Sequence, residues 1–305
     1  MPALKQCLVG TALLALTVSA GCGNPTTTKL YANLDRANEI RDGLGVGGAV
    51  AAESGSQLQV ADPVGWATLR GAFRVDGDAP APVAINVVKD IDICSPGGKQ
   101  VFGEEVVVGP DGGLGNVLIF LTSKISDDEP WTHPSAQPGK TDEVIFDQKS
   151  CVFLSHVLAL QASQPLRILN SDPVGHNTAL NPSKNSGFNQ TVPANSSVIY
   201  SPSKEEPRPF RVSCSIHPWM GAWVITRKNS YFAVTRDDGG FEIPNLPSGV
   251  ELEFRVWQEK AGFVQDVTVN GEATEWSKGR FTINLDPRDE NKNQLDVSIA
   301  AATFQ

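Results

Sequence analysis

The chain has 305 residues, of which 40% are hydrophobic, and this is enough apolar material for two domains with a core each. Its formal net charge of −9 repels a phosphate backbone, and no run of lysine and arginine interleaved with aromatic residues offsets that charge. The composition therefore predicts a globular protein that does not have nucleic acid as a partner.

The N-terminus has the anatomy of an export signal. Lys5 precedes an apolar run over residues 8–20, and small residues come before Cys22. At 13 residues, the run is shorter than the roughly 20 residues that a membrane-spanning helix needs. We therefore predict a signal peptide over residues 1–22 and a protein located in the periplasm or at the cell surface.

The residues SAGC at 19–22 resemble a bacterial lipobox, in which the cysteine becomes the acylated first residue of the mature protein. The resemblance implies that Cys22 carries a lipid and anchors the protein to a membrane. The family usually has leucine three positions before the cysteine, where this chain has Ser19. Ordinary cleavage after Ala20 therefore stays open, because VSA also fits the small-residue rule for cleavage.

Residues 23–62 are predicted to form a tether. Apolar side chains recur at helical spacing over 30–44, which predicts one short helix, and residues 45–62 are rich in glycine, alanine, serine and glutamine. From residue 66 onward, short runs rich in valine, isoleucine and phenylalanine alternate with turn residues. This spacing predicts an all-β protein built from β-sandwiches.

Three of the five cysteines remain once one is removed with the signal and Cys22 is acylated. In an oxidising compartment, an odd number predicts one disulfide and one thiol that serves another purpose. We predict that Cys94 and Cys151 form the disulfide and that Cys214 is the remaining thiol. The alternative use of Cys151 is a second metal site that it shares with His156.

Soft metal ligands are concentrated in the stretch RVSCSIHPWMGAW at 211–223. Cys214, His217 and Met220 follow one another at intervals of three residues, in a chain with four histidines and two methionines. A fourth ligand is available in His176, which follows a strand-like run and an Asn-Ser-Asp-Pro turn. Two histidines, a thiolate and a thioether are the ligand set of an electron-transfer copper site, whereas calcium binds oxygen and structural zinc binds four cysteines or histidines.

The loop CSIHPWM resembles the C-x-x-H-P-aromatic-M ligand loop of the amicyanins, which are plastocyanin-like cupredoxins, and HNT at 176–178 resembles the HNV of that family. The resemblance covers residues 150–228. It implies a Greek-key β-sandwich that binds one copper ion, and the implied ligands are His176, Cys214, His217 and Met220.

The same resemblance implies roles for the neighbouring residues. Asn177 would clamp the two ligand loops together by hydrogen bonds. The edge of His217 would lie in an exposed apolar patch, and Pro218 and Trp219 would form the docking surface there. Such a small surface suits weak and transient partners, here a redox protein donor and a redox protein acceptor.

The sequence offers few further ligands for a copper enzyme. Multicopper oxidases and copper nitrite reductases need more histidines than His133 and His156 provide, and the chain has no H-x-H pair. We therefore predict an exported electron carrier that is not an enzyme. The alternative is a non-redox cell-surface protein that serves adhesion, carbohydrate binding, or copper storage and delivery.

The segment YFAVTRDDGGFEIPNLPSGVELEFRVW resembles the carboxypeptidase-regulatory-like, transthyretin-like β-sandwich, with its Asp-Gly turn, aromatic-led strand and Leu-Pro-x-Gly turn. The resemblance implies an accessory domain over 229–305, after a cupredoxin-like domain over 63–228. Because WATLRGAFRVDGDAPAP resembles the opening of the same module, residues 63–124 are alternatively part of that C-terminal sandwich, around an inserted cupredoxin.

Overall fold

The computed structural model describes residues 61–137 and 142–305. The predicted signal peptide, the lipidation at Cys22 and the tether up to residue 60 lie outside the described residues. Within the described part, the chain forms one short α-helix, α1 (Ile91–Cys94), and twenty-one strands. In chain order the strands are β1 (Gly65–Asp76), β2 (Ala84–Ile85), β3 (Val101–Phe102), β4 (Leu118–Leu121), β5 (Val144–Lys149), β6 (Val152–Phe153), β7 (Val157–Gln161), β8 (Leu166–Asn170), β9 (His176–Leu180), β10 (Phe188–Val192), β11 (Ser196–Tyr200), β12 (Phe210–Ser213), β13 (Gly221–Arg227), β14 (Phe232–Val234), β15 (Gly240–Ser248), β16 (Glu251–Gln258), β17 (Gly262–Phe263), β18 (Asp266–Val269), β19 (Glu272–Glu275), β20 (Arg280–Asn284) and β21 (Gln294–Ala300).

The predicted all-β class is confirmed. Strand β21 illustrates why these residues form strands, since Leu295, Val297 and Ile299 are buried and the residues between them are not. Successive side chains of a strand point to opposite faces, so this alternation covers one face with apolar groups and leaves the other for water. Two such faces then pack together and exclude water from a shared core.

The first sandwich is built from strands at both ends of the described chain. One sheet has the order β15-β1-β21-β18-β19, and the other has the order β14-β4-β16-β17, with β20 also paired to β16. Strand β1 is parallel to β21, and Phe73 lies opposite Val297. Both residues belong to one core with Leu69, Ile119 and Phe254, so residues 65–121 and 232–300 share sheets and a core.

The second sandwich is built from residues 144–227. Its sheets have the orders β10-β9-β12-β13-β7 and β11-β8-β5-β6. Phe146, Leu166 and Val212 lie in its core, together with Cys214. A smaller apolar cluster joins the two sandwiches and consists of Leu118, Phe120, Val157, Ile225 and Trp257.

Residues 83–103, called the covering segment below, leave the first sandwich and reach the second. Strands β2 and β3 pair at the base of this segment, and α1 lies between them. A disulfide joins Cys94 of α1 to Cys151, which follows β5. Val87 and Ile93 also pack against the core of the second sandwich, so the segment is attached by both covalent and apolar contacts.

Candidate metal centre

Three of the four predicted ligands come together at one end of the second sandwich. His176 is the first residue of β9, and Cys214 and His217 lie in the loop between β12 and β13. Because β12 pairs with both β9 and β13, this loop is brought next to His176. One nitrogen of each histidine and the sulfur of Cys214 all lie within 4.8 Å of one another.

The two imidazoles face each other through the same nitrogen atom. His176 Nδ1 lies 2.9 Å from His217 Nδ1, and the sulfur of Cys214 lies 4.0 Å from the latter atom. Both histidines are 0% exposed, and Cys214 is 3% exposed. A single ion could therefore contact all three donor atoms without access to bulk water.

The outer nitrogen of each imidazole contacts a carboxylate. His176 Nε2 lies 2.7 Å from Asp172 Oδ2, and His217 Nε2 lies 2.8 Å from Asp90 Oδ2. A carboxylate only accepts hydrogen bonds, so each Nε2 donates and each Nδ1 is left with its lone pair. Two lone pairs that face each other at 2.9 Å repel, and a cation between them, a proton or a metal ion, removes the repulsion. The donor set therefore fits a bound metal ion.

The charge state of His176 also suits metal binding. Burial lowers the pKa of this histidine, and the hydrogen bond to Asp172 offsets that effect in part. A lower pKa favours the neutral imidazole, which is the form that binds a metal.

The sulfur of Cys214 accepts two backbone hydrogen bonds. The N–H of Asn177 donates to it at 3.3 Å, and the N–H of His217 donates at 3.4 Å. These two bonds hold the sulfur in place beside the two imidazoles. A thiolate with two neutral imidazoles is a soft donor set, which matches copper better than calcium or magnesium.

Asn177 connects the two parts of the chain that carry the ligands. Its Oδ1 accepts from the N–H of Ser215 at 3.2 Å, and its Nδ2 donates to Asn189 Oδ1 at 2.7 Å and to the carbonyl of Gln190 at 3.1 Å. The side chain therefore ties the ligand loop to strands β9 and β10.

Met220 is buried at the end of the ligand loop. Its N–H donates to the carbonyl of His217 at 2.9 Å, and its carbonyl accepts from the N–H of Cys214 at 3.3 Å. These bonds close the loop into a tight turn that returns to Cys214. The assignment of the Met220 sulfur as a ligand stays a prediction.

The expected exposure of the His217 edge is wrong. This histidine is fully buried, and Asp90 of the covering segment occupies the position next to its outer nitrogen. Pro218 is exposed, and Trp219 is half-buried with its indole N–H donating to the carbonyl of Cys151 at 3.1 Å. The expectation came from a resemblance over residues 150–228, whereas the residue that covers the imidazole lies outside that range.

The other cysteines and histidines have different partners. Cys94 and Cys151 form the disulfide, and Cys214 is the free cysteine of the described residues. Because Cys151 is bonded to Cys94, it does not form a site with His156, which lies between Glu259 at 2.5 Å and Glu104 at 3.6 Å. His133 Nδ1 lies 2.8 Å from the hydroxyl of Ser135.

Two residues that sequence reasoning missed are Asp172 and Asp90. Asp172 could have been found, because it lies in the turn four residues before His176, and metal-binding histidines usually donate to a carboxylate or carbonyl. For Asp90 the sequence carries no signal, since it lies 127 residues from His217 in a segment attached to the other sandwich.

No model of a known protein family matches the chain, and no curated protein matches it in sequence. Among solved structures, amicyanin from Paracoccus versutus (Thiobacillus versutus) is similar at 16% identity over 36% of this chain and 97% of its own, with a TM-score of 0.26. A mutant amicyanin in the Cu(I) form matches at 10% identity over 28% of this chain and 82% of its own, with a TM-score of 0.26. The Cu-containing nitrite reductase (NirK) from Thermus scotoductus SA-01 matches at 14% identity over 35% of this chain and 27% of its own, with a TM-score of 0.27.

Proposed function

We propose that this protein is a type 1 copper protein that carries single electrons between redox partners. One copper ion would be held by His176, Cys214, His217 and Met220. The observation that carries the proposal is that two buried Nδ1 atoms and one sulfur lie close together. The Nε2 atom of each imidazole contacts a carboxylate oxygen, which orients the Nδ1 atom toward the sulfur. This arrangement leaves three soft or borderline donors directed at one place.

Copper supplies such a site with a centre that gains and loses one electron, because Cu(I) favours sulfur ligands and Cu(II) favours imidazole. The side chains around it supply a fixed geometry. Asp172 and Asp90 hold the imidazoles with Nδ1 directed inward, and two backbone N–H groups hold the sulfur of Cys214. Because these hydrogen bonds fix the donor atoms, the ligands would move little when copper gains or loses an electron.

We also propose that the protein acts outside the cytoplasm, in the periplasm or at the cell surface, and that lipidated Cys22 anchors it to a membrane. The support is the signal-like sequence of residues 1–22. In residues 61–137 and 142–305, no helix has the length and apolar character needed to span a bilayer. The proposed donor and acceptor are redox proteins, the protein itself is not an enzyme, and the first sandwich is an accessory domain.

The test is the visible spectrum and the voltammetry of protein purified with copper. We expect an intense thiolate-to-copper band that disappears on reduction and returns on oxidation. The variant Cys214→Ser should lose the band, and His133→Gln should keep it, because His133 contacts Ser135 instead of the metal centre. Copper-loaded protein that is colourless and shows no reversible wave would overturn the electron-carrier proposal in favour of copper storage, delivery or a non-redox surface role.

A further inference from the structure

The covering segment presents a single carboxylate to the metal centre. Asp90 has a left-handed backbone conformation, with φ at 48°, and its carbonyl accepts from the N–H groups of Ile93 and Cys94 at 2.9 Å each. Aspartate is among the few residues with a side chain that adopt this conformation readily. The turn directs the Asp90 side chain to the outer nitrogen of His217.

This carboxylate is held in place by the rest of the segment. Cys94, four residues later, is bonded to Cys151 of the second sandwich, and Val87 and Ile93 pack on its core. At the base of the segment, Gln100 Nε2 donates to the carbonyl of Ile85 at 2.9 Å. The position of Asp90 therefore does not depend on its contact with His217.

The same disulfide also fixes the carboxylate behind the other histidine. Asp172 accepts from the N–H of Cys151 at 2.9 Å and from the N–H of Ser150 at 2.7 Å, while its Oδ2 contacts His176. On the opposite side of the disulfide, the N–H of Cys94 donates to the carbonyl of Asp90. Asp90 and Asp172, which accept from the two imidazoles, are therefore each hydrogen-bonded to one cysteine of the same disulfide.

From these contacts we propose that Asp90 is a positioning residue of the metal centre, which fixes the tautomer and ring orientation of His217 and closes the centre at that imidazole edge. The inference rests on the proposed copper site. A carboxylate behind a ligating imidazole keeps the proton on the outer nitrogen and raises the basicity of the inner one. The Asp90 side chain is 31% exposed, whereas His217 is 0% exposed, so the carboxylate stands between the imidazole and solvent.

The position of Asp90 limits where a redox partner can contact the metal centre. A protein that exchanges electrons with the centre does not contact the imidazole of His217, because α1 and Asp90 occupy that side. Contact is available at Pro218, which is exposed, and at Trp219, whose ring centre lies 5.2 Å from that of His217.

The test compares Asp90→Asn and Asp90→Ala with the matched control Asp92→Asn, a change at an exposed residue of α1 two positions further along the chain. In metal-free protein, proton exchange at the Nε2–H of His217 is measured by nitrogen-15 NMR. In a second measurement, Cu(I) affinity is obtained by competition with a chromophoric chelator. The NMR measurement needs no copper, so its outcome is separate from the success or failure of the proposed function.

We expect faster exchange at His217 in both Asp90 variants and Cu(I) affinity that is 10- to 100-fold weaker in Asp90→Ala, as is typical when a partner of a metal-bound histidine is removed. Asp90→Asn, which keeps an acceptor oxygen and the backbone turn, should lie between Asp90→Ala and the wild type. Asp92→Asn should match the wild type. Exchange and affinity in Asp90→Ala within twofold of Asp92→Asn would overturn the proposal, and loss of affinity without faster exchange would assign Asp90 a merely structural role and overturn it as well.

Discussion

Removal of the Cys94–Cys151 disulfide is expected to cause a large loss of stability. The double variant Cys94→Ala/Cys151→Ala opens a loop defined by a sequence separation of 57 residues. With that separation, the chain-entropy relation for crosslinks gives about 4 kcal/mol of lost unfolding free energy at 25 °C. Because the bridge also attaches the covering segment to the second sandwich, the loss should fall on the unfolding transition of that sandwich.

The assay is urea unfolding followed by tryptophan fluorescence, since Trp219 lies beside the bridge and donates to Cys151. The transition midpoint of the double variant should shift to lower urea relative to the wild type. Reductant should lower the unfolding free energy of the wild type and of Cys214→Ala by the same amount, because Cys214 is outside the bridge. It should have no effect on the double variant.

A difference of less than about 1 kcal/mol between double variant and wild type would refute this reasoning. It would mean that the unfolded chain is already restricted between these two positions, or that the native contacts of the covering segment compensate for the lost crosslink. Equal stability of reduced and oxidised wild type would lead to the same conclusion.

Two further predictions concern the second sandwich. Burial raises the pKa of the Glu206 carboxyl, but hydrogen bonds from the turn at 183–185 more than offset this, so its pKa is lowered in the folded protein. Its stabilising contribution is therefore present above the unfolded pKa and lost as pH falls through the folded pKa. Glu206→Gln should therefore flatten the decline of melting temperature below about pH 4.5. Phe146→Ala removes a ring that is 0% exposed and should lower the free energy of urea unfolding by about 3 to 5 kcal/mol. At the half-exposed neighbour, Ile145→Ala should lower it by about 0.5 kcal/mol or less. Equal losses would contradict the assigned core.

The fold class followed from local patterns, because a strand that buries one face shows its alternation within a few residues. Leu295, Val297 and Ile299 are an example that needs no knowledge of the partner strand. The partner itself depends on distant residues. The residues around Phe73 resemble part of the C-terminal module, but they do not specify that β1 lies parallel to β21 and antiparallel to β15.

The candidate site likewise combines residues that local sequence patterns indicate with residues that only long-range contacts bring together. Cys214 and His217 are three residues apart in one loop, so their types and spacing alone indicated a shared metal, and His176 was added as a histidine at the end of another strand-like run. Asp90 was missed because its contact with His217 is made by a separate segment, whose path is set by a disulfide and by packing. The resemblance that guided the expected docking surface covers residues 150–228, and this segment lies outside that range.

The parallel pairing of β1 with β21 has a consequence for the order in which the chain folds. Residues 144–227, which complete the second sandwich, precede residues 294–300 in the chain and so become available for folding before them. The edge of β1 that pairs with β21 therefore stays unpaired while the inserted sandwich folds, since domains fold as units and from the N-terminus onward. Truncation a few residues before β21 should leave the inserted unit able to fold but expose the β1 edge to chaperones and to aggregation.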